Sequence, residues 1–302
     1  MPKTREIRGR IKAVGNIQRI TKTMQMIATA RFQAAQKRAV ASQPFAQRIA
    51  EMVRELAQAS SAGGESNGLR HPLLTPPAPP AGRRLVLVIT SNRGLCGAYN
   101  ANILRTTTAH LETLKGQQVD LEVVGKKGAA YFKFAGVPVA RFHGQFTDRP
   151  AYADVNQLAQ RYMDEFTQGK YDSVEVIYMS FESIARQRPR VQQILPLRPP
   201  AAAKQEGPAA SAKPKASPVY DFYPDVQTIL AQMLPITVKT EVFQCFNEAV
   251  VGEQIARMVA MKSATDAAQK MGRTLTRRYN RVRQTAITTE LMEIIGGAAG
   301  LE

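Results

Sequence analysis

The chain has 302 residues, enough for one large domain or two ordinary ones, and 44% of them are apolar, the share of a protein that buries a core. No run approaches the roughly 18 consecutive apolar residues of a membrane span, and the opening MPKTREIRGR has no apolar secretory h-region, so a soluble chain without a bilayer crossing is expected. Two cysteines, Cys96 and Cys245, no CxxC pair and only three histidines argue against a disulfide scaffold or a Cys/His zinc site and suit a reducing compartment.

A net charge of +17 implies a strongly acidic partner: nucleic acid, anionic lipid or acidic protein. Residues 1–60 hold 12 Lys/Arg against 3 Asp/Glu, residues 61–220 hold 20 against 12, and residues 221–302 hold 9 against 9. The last balance hides a polarity, because residues 257–283 carry eight basic residues and one acid, Asp266.

From Thr4 to Gln58 the pattern predicts one helical arm, with an apolar stripe at Ile7, Ile11, Val14, Ile17, Ile20, Met24 and Ile27. The stripe thins to Ala30, Ala34, Ala35 and Ala39 and resumes at Phe45, Ile49, Val53 and Leu56, with Pro44 expected to kink the arm. A Gly/Pro-rich linker follows from Ser61 to Gly82. Four β-branched runs come next, Leu85–Thr90, Val119–Gly125, Val137–Phe142 and Val174–Ser180. Helical stretches near Tyr99–Leu114, Lys127–Phe134 and Val155–Phe166 separate them, which predicts a small, mostly parallel sheet with covering helices. The segment Ala201–Ser217 is too poor in large apolar residues to fold and is read as a disordered loop. A short helix, Asp225–Leu234, is expected to bend at Pro235 into a second long arm, Thr237–Ala298, with apolar positions including Val251, Ile255, Met258, Met261, Ala268, Met271, Leu275, Val282 and Ala286.

At 1.5 Å per residue the arms would reach about 80 and 90 Å, whereas a compact globule of this length is about 50 Å across. Both arms are therefore expected to project, to run antiparallel, and to bury their stripes against each other in a coiled coil. The expected class is α/β: a long antiparallel two-helix coiled coil made by the N- and C-terminal arms, with a small Rossmann-like α/β domain between them. The parts are 1–60, the first arm; 61–82, a linker; 83–200, the α/β domain; 201–219, a disordered low-complexity loop; and 220–302, the second arm.

Motifs for catalysis are few. The loop TSNRGLCGAYN, Thr90–Asn100, has glycines that could cradle a phosphate, but it is neither GxGxxG nor GxxxxGK[ST], and GKKG at Gly125–Gly128 lacks the Walker spacing. Glycines that permit a tight turn are the better reading. His71, His110 and His143 fall in a linker, a helix and a loop with no evident nucleophile or acid partner, which argues against an enzyme acting alone. The basic stripe Arg273–Arg283 reads either as a solvated helix face or as a contact for an acidic protein surface; its one aromatic, Tyr279, gives thin support for base stacking. The run ITTELMEIIGGAAGLE is apolar on more than one side of the helix, through Ile287, Leu291, Met292, Ile294 and Ile295, so it either packs on the first arm or sits in an apolar sleeve made by other chains.

Three segments together resemble the gamma subunit of the rotary F-type ATP synthase: EIRGRIKAVGNIQRITKTMQMIATARF, TSNRGLCGAYN, and ARMVAMKSATDAA with RRYNRVRQTAITTELMEIIGGAAG. The resemblance covers nearly the whole length. It implies a central rotor shaft that stands inside a ring of alternating alpha and beta subunits, with the α/β domain as a foot on the membrane rotor ring beside the epsilon subunit. It also implies mechanical coupling, no cofactor, no catalytic residue in this chain, no nucleic-acid partner, and a peripheral place on the cytoplasmic face of a bacterial plasma membrane without insertion. Position by position, Met24 matches where the family's shaft passes acidic loops of beta, and Arg283, Gln284, Thr288 and Glu290 match polar contacts nearer the tip. Tyr220 and Phe222 match the foot segment approximately, since the spacing before Pro224 differs. Ala201–Ser217 looks like a lineage insertion without cysteine, so the chloroplast thiol switch is not expected. Two alternatives stand beside this: a basic coiled-coil nucleic-acid-binding protein, with a steep salt slope for DNA, and an α/β enzyme with helical arms.

Overall fold

The computed structural model describes residues 2–62, 71–77, 80–197 and 226–299. The low-complexity loop, Tyr220, Phe222 and part of the Ser61–Gly82 linker lie outside the described residues. In chain order the elements are α1 (Pro2–Ala62), β1 (Arg83–Ile89), α2 (Tyr99–Thr113), β2 (Gln118–Val124), α3 (Lys126–Phe134), β3 (Arg141–His143), α4 (Tyr152–Thr167), β4 (Ser173–Phe181), β5 (Gln187–Leu195) and α5 (Val226–Ala299). By packing, the chain divides into two compact units. One comprises residues 1–31, 95–97 and 254–302, the other residues 32–94 and 98–253.

In the second unit a five-stranded sheet has the order β3-β2-β1-β4-β5, with the first four strands parallel and β5 antiparallel to β4. This is the doubly wound order. The central strand reads RRLVLVI and is buried from Leu85 to Ile89 on both faces, as a parallel strand covered by helices on each side must be. On one face Leu85, Leu87, Val174, Val176 and Tyr178 share a core with Tyr162 and Phe166 of α4, with Leu234, Val238 and Phe246 of α5, and with Ile49 of α1. The other residues of β1, Val86 and Val88, are equally buried, and α2 and α3 supply the buried Ile103 and Phe132.

Three expectations need correction here. β5 was not expected, because QRPRVQQIL carries Pro189 and only intermittent apolar residues; as an edge strand opposite Met179 it tolerates a residue without an N–H. The run Val137–Phe142 shortens to a three-residue β3, since Val137–Val139 form no ladder. Asp225–Leu234 is not a separate helix: α5 continues through Pro235, with Leu234 and Val238 fully buried to either side and the Thr237 hydroxyl donating to the Met233 carbonyl at 3.0 Å. Burial of the flanking side chains offsets the one backbone bond that proline removes. α1 likewise runs uninterrupted through Pro44. No described helix is long and apolar enough to cross a membrane.

Candidate functional site

A doubly wound sheet binds ligands beyond the carboxyl ends of its strands, at the switch point between β1 and β4, and at helix N-termini. At one of these termini, that of α3, the groups are already engaged. At the start of α3, the Gly128 N–H donates to Thr90 Oγ1 at 3.0 Å, the Lys127 N–H to the Ser91 carbonyl at 3.1 Å, and the Lys126 N–H to Asn92 Oδ1 at 3.2 Å. Gly125, at φ +94°, has no room for a side chain, since a Cβ there would stand 2.2 Å from the Thr90 carbonyl oxygen. The glycines of GKKG thus let two loops close on each other, leaving no cradle. In the preceding loop two residues take the left-handed conformation, Leu95 at φ +63° and Gly97 at φ +56°.

Two of the three histidines, His110 and His143, have acid partners after all. His110 Nε2 bonds Glu175 Oε2, and Arg84 holds the other oxygen of that carboxylate at 3.2 Å. His143, on β3 rather than in a loop, lies 2.7 Å from Glu122 Oε2. Glu122 also takes two guanidinium bonds from Arg161, at 2.9 and 2.6 Å, and one from the Tyr162 hydroxyl at 2.8 Å. Burial raises its pKa, but the bonds from His143, Arg161 and Tyr162 more than reverse this and hold it at about 2. An adjoining hollow of about 370 Å³ contains Arg141, His143, Asp154 and Arg161, yet its most buried cation is already neutralised by Glu122. Among the described residues no group of three or more His, Cys, Asp or Glu is placed to hold a metal. Both carboxylate clusters therefore act as internal ties.

The first unit is a helical pair. Along α1, burial follows Ile7, Ile11, Val14, Gln18, Thr21, Gln25 and Ala28, alternately four and three residues apart. Along α5 it follows Met261, Thr265, Ala268, Gly272, Leu275, Tyr279, Val282 and Ala286 with the same alternation. That is the 3.5-residue period of a coiled-coil seam. The pairing is antiparallel: Arg8 donates to the Tyr279 hydroxyl at 2.6 Å, a Cβ on Gly272 would meet Val14 at 3.9 Å, and the Thr265 hydroxyl bonds Thr21 Oγ1 at 2.8 Å. As the α1 number rises through 8, 14 and 21, its α5 partner falls through 279, 272 and 265.

This seam corrects the expected stripe. Ile17, Ile20 and Ile27 are about half exposed, at 52%, 59% and 49%, because three-residue steps from Val14 walk around the helix while the seam continues at Gln18 and Thr21. The polar seam residues Gln18, Thr21, Gln25 and Thr265 were missed by following apolar side chains alone; counting heptads would have found them. Met24 is half-buried beside the seam. Arg283, Gln284, Thr288 and Glu290 are all exposed, with Thr288 Oγ1 bonded back to the Gln284 carbonyl at 3.0 Å. Arg283 and Glu290, seven apart, share one flank of α5; Gln284 and Thr288, four apart, share another. Arg273, Arg277, Arg278 and Arg281 are exposed too.

The half-buried seam positions on α5 end at Ala286. Beyond it Ile287, Leu291, Met292, Ile294 and Ile295 are 53–69% exposed, so they do not pack on the first arm.

An antiparallel coiled coil contributed by both ends of the chain, together with a doubly wound domain from its middle, defines the structural class. The family model described as ATP synthase matches residues 3–301. The ATP synthase gamma chain of Rhodopirellula baltica is 39% identical over 304 residues, covering 100% of both chains, and that of Saccharopolyspora erythraea is 38% identical over 318 residues, covering 100% of this chain and 98% of the relative. Among solved structures, a chain of the Euglena gracilis mitochondrial ATP synthase, OSCP/F1/c-ring in rotational state 3, aligns with TM-score 0.63 at 18% identity over 99% of this chain and 95% of that one. A chain of the rotor of the same enzyme in rotational state 1 gives TM-score 0.59, also at 18% identity, over 95% and 99%. These structural likenesses speak for the fold. The chain belongs to the ATP synthase gamma-chain family.

Proposed function

We infer that this chain is the central rotor shaft of an F-type ATP synthase, coupling ion flow through the membrane sector to ATP synthesis or hydrolysis in the catalytic head. The observation that carries this is full-length kinship with gamma chains, with no part of the chain left over for another activity. The subunit is non-catalytic in this reading, which is supported by the N-terminus of α3, whose first N–H groups are taken by Thr90, Ser91 and Asn92. Its partners are the alpha and beta subunits around the coiled coil, and the epsilon subunit and membrane rotor ring at the α/β foot. It would then be a peripheral protein on the cytoplasmic face of a bacterial plasma membrane. Residues 1–60 and 220–302 serve as the arms, 83–200 as the foot, and 61–82 and 201–219 as connections.

Met24, Arg283, Gln284, Thr288 and Glu290 are the proposed partner contacts. The exposure of the last four, and of the basic stripe, supports this: side chains on the outside of their own unit are available to a surface beyond it. Nothing in the fold favours nucleic acid over such a surface.

The test replaces Arg281 and Arg283 with glutamate. Exposed charges contribute little to the chain's own stability. Circular dichroism of the free subunit should stay near wild type, while ATP-driven ion pumping by the reconstituted enzyme falls. Normal pumping by the double variant would refute the contact reading.

A further inference from the structure

We propose that the solvent face of α3 and the neighbouring edge strand β3 form a docking surface for an anionic phospholipid bilayer, touched at headgroup depth without being crossed. The proposal rests on the rotor reading only for what brings a bilayer near, not for the surface itself.

The charge of this part of the chain is one-sided. Residues 123–147 contain Lys126, Lys127, Lys133 and Arg141 and no Asp or Glu. α3 buries Gly128 and Phe132, so its opposite face carries Lys126, Lys127, Ala130, Tyr131, Lys133 and Phe134, all exposed. β3 is the end strand of the sheet, and its Arg141 and Phe142 are exposed as well. A hollow of about 500 Å³ joins the two elements, lined by Lys133 from α3 and by Arg141 and Phe142 from β3. Elsewhere in this unit basic side chains have carboxylate partners: Lys115 has Glu112, Arg161 has Glu122, Lys170 has Glu165 and Arg186 has Glu182. Among the described residues the four cations of this surface have none, and Asp154, which borders a separate hollow with Arg141, forms no ion pair with it.

The apolar side chains complete the pattern. Phe134 is 92% exposed, the highest value of any large apolar side chain among the described residues, and Phe142 and Tyr131 are exposed beside it. A ring held out in water from the end of a helix forgoes the gain that burial would give. Unpaired lysines around protruding aromatic rings are the features of an interfacial anchor: the cations meet lipid phosphates while the rings settle at the headgroup level. An acidic protein would satisfy the charges too, but Phe134 projects from its unit and does not line the hollow, so a protein would have to bring a pocket for it. The headgroup layer receives a projecting ring without any pocket, and the hollow between Lys133 and Arg141 would take a headgroup phosphate. Each such charge close to an anionic surface strengthens adsorption about five-fold.

The chain has no tryptophan, so Phe134→Trp places a single fluorescent reporter on this surface. Leu291→Trp, near the exposed end of α5, is the control. Each full-length variant is titrated with vesicles rich in phosphatidylglycerol and, separately, with vesicles of phosphatidylcholine alone. The reporter at position 134 should shift to the blue with the anionic vesicles and be quenched when their acyl chains carry bromine close to the headgroup. Phosphatidylcholine alone should do neither. Adding Lys126→Gln, Lys127→Gln and Lys133→Gln should raise the lipid concentration at half-shift on the order of 100-fold, with helicity unchanged. No shift at position 134, quenching at position 291 alone, or a response that survives the three lysine changes would overturn the surface. A blue shift given by polyglutamate as readily as by vesicles would overturn it in favour of an acidic protein. The rotor reading fails separately: an unquenched reporter in a chain that still assembles an ion-pumping enzyme sinks this surface alone, whereas a quenched reporter, with a wild-type chain that joins no ATPase subunits, sinks the shaft alone.

Discussion

The sheet-bearing unit and the helical pair treat burial in opposite ways. In the first, Leu85, Val86, Leu87 and Val88 are at 0% exposure, and even buried charges such as Glu122 have their partners at hand. In the second, no α5 residue from Gln269 to Gly296 is buried, and large apolar side chains stand in solvent at its end. One unit is complete in itself, whereas the other is shaped for surroundings that this chain does not provide. Stability should accordingly respond strongly to change in the sheet-bearing unit and weakly in the helical pair.

The sharpest test is Arg161→Met, which strips two hydrogen bonds from the buried Glu122 carboxylate. Removing one partner of a buried ion pair costs about 3 kcal/mol or more, readable as a lower urea midpoint by tyrosine near-UV circular dichroism at pH 7. Glu122 has a depressed pKa, so its contribution to wild-type stability is full above the ordinary carboxylate range and is lost as pH falls toward about 2. The penalty of the variant should shrink over that window; a penalty that stays constant down to pH 2 would mean that it does not come from the charge on Glu122.

Glu241→Gln tests the unit from the other side. Burial raises the pKa of this carboxyl to about 7, with Arg190 and a hydrogen bond from Gln192 only partly opposing it. The folded state then binds the proton more tightly than the unfolded chain, so wild-type stability declines as pH rises from the ordinary carboxylate range to about 7. The glutamine variant should be more stable than wild type at pH 8, by on the order of 2 kcal/mol, and indistinguishable at pH 4. A variant no more stable at pH 8 would show that the carboxylate is well solvated.

The smallest effect belongs to the helical pair. Ile17→Ser with Ile20→Ser changes two half-exposed side chains off the seam and should move the thermal midpoint of the free chain by no more than about 0.5 kcal/mol per site. A loss of several kcal/mol would show that these residues are packed in the free chain and would erase the contrast between the two units.

Much of the fold was legible in the sequence. β1, β2 and β4 announced themselves as short runs rich in β-branched residues, apolar from Leu85 to Ile89 in β1 because both faces of a central parallel strand are covered. The long helices were legible because nothing but helix gives apolar steps of three and four for so many residues. β5 was not, since an edge strand needs neither continuous apolar character nor every N–H. The four polar candidates on α5 were identified through the family resemblance, as exposed residues carry no periodic signal of their own.

By itself, the sequence determined the kinds of elements, their order, and the pattern of family motifs, all of which depend on local spacing and side-chain chemistry. Which face of α1 is the seam was decided only by tertiary structure. Ile17, Ile20 and Ile27 look as apolar as Ile7 and Ile11, but a helix has to choose one line of contact. The choice falls on the 3.5-residue line that α5 can follow, even though that line passes through Gln18, Thr21 and Gln25. Pairing two helices over many turns rewards a constant phase more than it rewards the greasiest residue at each turn, and phase between chain segments 244 residues apart is a property that neither segment carries alone.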